Sequence, residues 1–146
     1  MVQRVLDARV RVAGEVVGKI QAGLAVLVGV REDDSEVDAH YIAEKIANLR
    51  VLDDEQGRME RSLLDLGQEV LVVSQFTLYG DARKGRRPSY IDAARGEHAE
   101  QLYERVAERL RGLGLRVGTG RFGAEMEIEM PADGPVTILL DSRREF

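Results

Sequence analysis

Residues 2–12 alternate. Val2, Leu6, Ala8, Val10 and Val12 fall on one side and Asp7, Arg9 and Arg11 on the other, the two-residue period of a half-buried strand. Gly14-Glu15 offers a tight turn, and residues 16–20 read as the returning strand of a hairpin. The runs 24–30 and 70–73 are apolar at every position, which predicts strands covered on both faces. Between them, Ser35 and Asp38 have the spacing of a helix-capping box, ahead of a stripe made by Ile42, Ile46 and Leu49.

Residues 51–59 read as a short hairpin turning at 53–57, and 62–66 as one helical turn. The segment 69–78 has the strongest strand pattern of the middle region. A short helix is expected after Pro88 and a long one over 97–113, where Leu102, Val106, Leu110 and Leu113 recur at helical spacing. Strands over 115–119, 125–130 and 136–140 complete the set. The expectation is a single α+β domain over residues 1–146, mainly antiparallel and barrel-like in its sheet, with two principal helices.

Composition narrows the chemistry. The 146 residues include no cysteine and two histidines, so there is no disulfide framework, thiolate metal site or cysteine nucleophile. No leader-like apolar segment opens the chain and no run approaches the roughly 20 residues of a membrane span; a cytoplasmic location with no membrane partner is expected. The net charge of −5 argues at first against a nucleic-acid partner. It is uneven, however: residues 31–69 alone carry −7 and the remainder +2. Arg83, Lys84, Arg86 and Arg87 form a local cationic cluster closed by Pro88, either a solvated loop or an anion site.

His40 and His98 both lie in predicted helices, away from any nucleophile motif, and read as surface residues. No histidine-based triad is legible, so any hydrolysis must come from positioning, hydroxyls and backbone dipoles. Three places break the local pattern. Arg4 sits on the face of Val2 and Leu6. The covered strand at 70–73 runs abruptly into Ser74-Gln75-Phe76-Thr77, where an extended chain would point Gln75 and Thr77 to one side as paired donors. Asp133-Gly134-Pro135-Val136-Thr137 precedes the last strand.

These segments, with Gly14-Glu15-Val16, Ala22-Gly23-Leu24, Arg87-Pro88-Ser89 and Thr119-Gly120-Arg121-Phe122-Gly123, resemble the D-aminoacyl-tRNA deacylases nearly end to end. The resemblance implies a deacylase-like homodimer. In it a cis Gly134-Pro135 pair reaches from one subunit into the other's site and excludes L-residues, with Arg4 holding the pair's orientation. It implies Ser74, Gln75 and Thr77 as the catalytic group and Phe76 and Thr137 as further substrate contacts. Phe122 and Met126 are implied against the terminal adenosine, although the alternation of Met126 with Ile128 and Met130 by itself reads as core. The cationic residues 83–87 would meet the tRNA backbone. The implied reaction is hydrolysis of D-aminoacyl-tRNA, with leakage toward glycyl-tRNA and no cofactor or metal. The alternative is a module that binds the tRNA 3′ end without catalysis.

Overall fold

In the computed structural model, which describes residues 1–146, the opening alternation is split between two strands. β1 (Val2–Val5) and β2 (Ala8–Val12) belong to different sheets. The chain bends at Leu6-Asp7 to pass from one to the other. Leu6, expected inside, is exposed at this corner. β3 (Glu15–Ile20) returns along β2 after a turn at Ala13 and Gly14, whose φ values are both positive, 49° and 81°, as a two-residue hairpin loop requires.

The main sheet has five strands. β4 (Gly23–Val28) lies between β1 and β7 (Glu69–Ser74), followed by β8 (Val117–Thr119) on one edge; β10 (Ala132–Ile138) forms the other edge beside β1. The β1–β4 and β1–β10 pairs are antiparallel, but β4, β7 and β8 run parallel. The expectation of a mainly antiparallel arrangement therefore becomes a mixed sheet. β3, β2 and β9 (Glu127–Glu129) form a second, antiparallel sheet, and β5 (Leu52–Asp53) pairs with β6 (Met59–Arg61) in a small hairpin.

The side-chain period explains why β4 and β7 are apolar throughout. Leu24, Val26, Val28, Val70 and Val72 face the helices α1 (Glu36–Asn48) and α3 (Gly96–Gly112), packing with Ala43, Ile46, Leu102, Val106 and Leu110. Ala25, Leu71 and Val73 face the other way, onto Ala8, Val10 and Ile20 of the second sheet. Each alternate residue thus enters a different core. The sheets approach so closely that a Cβ on Gly18 would stand 2.0 Å from the Thr119 carbonyl oxygen, so only glycine fits there.

The capping box at α1 forms, with the Asp38 carboxylate accepting the Ser35 N–H at 2.8 Å. The one-turn α2 (Leu63–Leu66) has the same device at Ser62 and Asp65. The inner face of α1 is Ala39, Ala43, Ile46 and Ala47 rather than the larger stripe expected; Ile42 and Leu49 are half-buried. No helix follows Pro88. Ser89 instead exchanges two backbone hydrogen bonds with Asp81, and Ala94 donates to Val30, so neighbouring chain takes the groups a helix would use internally. No helix is long and apolar enough to cross a membrane.

Candidate functional site

β4, β7 and β8 end together at one edge of the sheet: Val28 pairs with Ser74, and Val72 with Thr119. The carboxyl ends of parallel strands are where such sheets hold ligands, because the strand ladder stops and loops begin. β7 stops at Ser74, short of the expected end at 78. The Gln75 N–H makes a last bond to the Val28 carbonyl at 2.8 Å, and the chain then curls into a 3₁₀ turn over Phe76–Tyr79. Gln75 and Thr77 are therefore not two parallel donors on an extended strand. The turn brings them into direct contact, with Gln75 Nε2 donating to Thr77 Oγ1. The N–H groups of Phe76 and Thr77 precede the turn's own ladder and are not consumed by it. Phe76 is half exposed and sets its edge against Tyr90, ring centroids 5.3 Å apart. Burial, with Asp34 and Asp141 nearby, pushes the Tyr79 phenol up to about 12, so it remains neutral at physiological pH.

The cationic loop follows immediately. Two bonds between Asp81 and Ser89, 2.8 and 2.9 Å, close its base. Arg83 makes a forked contact to the Asp81 carboxylate at 2.8 and 2.7 Å; that contact draws the Asp81 pKa down to about 2. Of the four cations, Arg83 is thus neutralised locally. Lys84, Arg86 and Arg87 are exposed, with no carboxylate within 4.0 Å.

Arg4, Gly134 and Pro135 form a separate cluster. In the β1–β10 ladder Gln3 pairs with Thr137 and Val5 with Ala132, so residues 133–136 bulge out opposite Arg4 alone. The Gly134-Pro135 bond in this bulge is cis, and Gly134 has φ +114°. Arg4 Nη1 donates to the Val51 carbonyl at 3.0 Å and to Asp53 at 3.3 Å, while Nε lies 3.1 Å from Asp133 Oδ2, out of line for a hydrogen bond. Its grip on the bulge is therefore through Asp133 rather than the Gly134 and Pro135 carbonyls. A Cβ on Gly134 would come within 3.2 Å of Arg4 Nη2.

Beside it, Gln3 is 7% exposed and its amide donates to the carbonyls of Val136 and Arg4, each at 3.1 Å. The Thr137 hydroxyl donates to Gln3 Oε1 at 2.5 Å. Thr137, expected to meet substrate, uses its hydroxyl within the fold. Gln3 had no assigned role: between Val2 and Arg4 its amide reads as an ordinary polar strand position.

Phe122 and Met126 lie in the loop after β8. Phe122 is half-buried, tilted against Tyr103 with centroids 6.1 Å apart. The Tyr103 hydroxyl donates to the Val72 carbonyl at 2.9 Å, and burial pushes its pKa up to about 12. Met126 packs with Ile128 and Met130 against the second core, as their alternation suggests. His40 is an exposed residue of α1. His98 is not an ordinary surface residue: it is half-buried at the first turn of α3, and its Nε2 is enclosed without a partner.

The Ser74–Thr77 and Gly134-Pro135 halves stand at opposite ends of the sheet. Arg4 is level with Leu24 and hence Val70, four residues before Ser74, and β10 lies three strands from β7. At about 3.3 Å per residue and 4.8 Å per strand, roughly 20 Å separates them.

The site thus lies on an α+β scaffold, in a polar turn at the carboxyl ends of its parallel strands, with no histidine in that turn. The chain belongs to the D-Tyr-tRNA(Tyr) deacylase family, whose model matches residues 1–141. It is 60% identical over 146 residues, covering all of this chain and 97% of the relative, to a D-aminoacyl-tRNA deacylase of Symbiobacterium thermophilum. It is 56% identical to that of Thermus aquaticus, covering 97% and 93%. A solved c-Myc DNA unwinding element binding protein superposes with a TM-score of 0.87 at 40% identity, covering 94% of this chain and 93% of that one. A probable eukaryotic D-amino acid tRNA deacylase shares the fold at a TM-score of 0.81 and 16% identity, covering 92% and 93%.

Proposed function

We propose that the chain hydrolyses the ester between a D-amino acid and the 3′-terminal ribose of tRNA, as a homodimer in which each subunit lends its Gly134-Pro135 bulge to the other's site. The observation that carries this reading is the placement of the two halves. Roughly 20 Å apart at opposite ends of one sheet, they do not meet around one ester within a chain, while the bulge leaves an edge strand and is free to enter a second copy. Family membership supports the reaction itself.

In this reading water attacks the ester carbonyl, the carbon–oxygen bond to the ribose breaks, and the departing 3′ oxygen takes a proton, with the neighbouring 2′-hydroxyl assisting. The Phe76 and Thr77 N–H groups and the Gln75 amide face the developing oxyanion. One such donor is worth about 2.7–4 kcal/mol of transition-state stabilisation, enough to make a site without histidine useful on an activated ester. Ser74 and Phe76 border the ester, and Phe122 and Met126 the terminal adenosine. Gly134 and Pro135, braced through Arg4 and Asp133, present main chain where an L side chain would fall. Discrimination by main chain leaves the D side chain unread and lets achiral glycyl-tRNA leak through. Lys84, Arg86 and Arg87 supply local positive potential for the tRNA backbone despite the acidic whole.

A binding module without catalysis is the second reading, favoured by the nucleic-acid-binding name of the 40% identical solved relative. Incubation with D- and L-tyrosyl-tRNA separates the two. Loss of the D-ester alone is expected; survival of both esters would leave the binding module.

A further inference from the structure

Most arginines of this protein are tied to carboxylates: Arg105 to Glu36 and Glu108, Arg109 to Glu44, Arg143 to Asp33 and Asp34. Arg111 and Arg121 are exposed and have no carboxylate within 4.0 Å, yet they line the same groove of about 460 Å³ between α3 and the loop after β8. Tyr103 and Phe122 also line it. Its loop rim starts at Thr119, next to Val72 in the sheet, so the groove opens beside the strand ends that lead into Ser74–Thr77. Its helix rim runs from Glu100 through Glu104 to Arg111, twelve residues whose eleven steps give about 16 Å of α-helix, longer than one nucleoside. Glu108, also on that rim, already holds Arg105 at 2.9 Å.

Tyr103 is only 4% exposed and backs the Phe122 ring, so what the groove offers beyond Phe122 is its pair of unneutralised guanidinium groups, and these suit single-stranded nucleic acid, whose phosphates follow the cations. The Glu100 and Glu104 carboxylates, on the same helix rim as Arg111 and across from Arg121, suit the exocyclic amines of bases, which donate hydrogen bonds. We propose that this groove carries the single-stranded nucleotides just 5′ to the terminal adenosine of the tRNA. Arg111 and Arg121 take their phosphates, and Glu100 and Glu104 accept from their base amines. The assignment rests on the proposed function in one respect, that the adenosine lies at Phe122; the groove is then the strand's continuation. It adds a second cationic contact, on the α3 side, to the loop at 83–87.

The test compares two substrates for the Arg111→Gln/Arg121→Gln variant: D-tyrosyl-tRNA, and D-tyrosyl-adenosine, which ends where the groove begins. KM for the tRNA is expected to rise roughly tenfold with kcat nearly constant. The salt dependence of kcat/KM becomes shallower by about 1.4, two phosphate contacts at roughly 0.7 each. Turnover of D-tyrosyl-adenosine stays at the wild-type level. An equal loss on both substrates would place the arginines in the nucleoside site or the fold and overturn the proposal. An unchanged KM for tRNA would overturn it too and leave the groove to a protein ligand. Retention of uncharged tRNA on filters reads the same contacts without hydrolysis, and the variant should retain it roughly tenfold more weakly. If the wild-type protein leaves D-tyrosyl-tRNA intact, the reaction fails while this binding measurement still decides the groove.

Discussion

Thr77 carries a single side-chain hydrogen bond, received from the Gln75 amide, and an amide is no base. A hydroxyl becomes a competent nucleophile only when a neighbouring group takes its proton, so the role we propose for this side chain is to orient and not to attack. Thr77→Ala should retain most of the single-turnover rate on D-tyrosyl-tRNA in a rapid-quench experiment; a loss of about a thousandfold or more would make Thr77 the nucleophile. At this scale the sequence was informative wherever a residue contradicted its surroundings. Arg4 on an apolar face and the polar residues after 70–73 were visible for that reason. What escaped was partnership. Nothing in the order of residues tells that Arg4 reaches Val51, Asp53 and Asp133, that Thr137 turns inward to Gln3, or that His98 encloses its Nε2. Those depend on which strands become neighbours.

Elements were legible where local chemistry decides them and illegible where pairing does. The α1 capping box, the one-turn α2 and the long α3 follow from side chains within a few residues. The end of β7 at Ser74 and the missing helix after Pro88 depend on distant partners, Val28 in one case and Asp81 and Val30 in the other. The cap also yields a pH prediction. Burial raises the Asp38 pKa, but the Ser35 N–H, the Ser142 and Ser35 hydroxyls and the Arg143 charge outweigh it, and the net shift is below the ordinary 3.8. A carboxyl with a depressed folded-state pKa stabilises above its unfolded value and loses that contribution as pH falls through the depressed one. Asp38→Ala should therefore cost roughly 0.3–1 kcal/mol at neutral pH, measured by urea unfolding. The difference from the parent protein should shrink once the pH drops below 3.8; a constant difference down to pH 2 would mean that the ionised cap is not what stabilises α1.

Across the whole molecule, the proposed exchange of bulges between subunits makes chiral discrimination a property one chain can donate to another. Gly134→Ala places a Cβ 2.9 Å from Val136 Cγ2, at a φ of +114° that side chains avoid, so the bulge must shift. The variant dimer should then hydrolyse both D- and L-tyrosyl-tRNA. Gln75→Ala removes a proposed oxyanion donor and should cost about a hundredfold or more in rate, but leaves its own Gly134-Pro135 intact. When the two are unfolded and refolded together with the Gln75 variant in tenfold excess, random pairing puts roughly nine tenths of the Gly134→Ala chains into mixed dimers. The only working site in a mixed dimer belongs to the Gly134→Ala chain, yet it receives its bulge from the Gln75→Ala chain. Addition of a nearly inactive protein should thus suppress L-ester hydrolysis toward the wild-type level while D-ester hydrolysis continues. An L-to-D ratio unmoved by the excess would mean that each chain supplies its own bulge, and the two halves of the site would have to close within one subunit over a distance the present fold does not span.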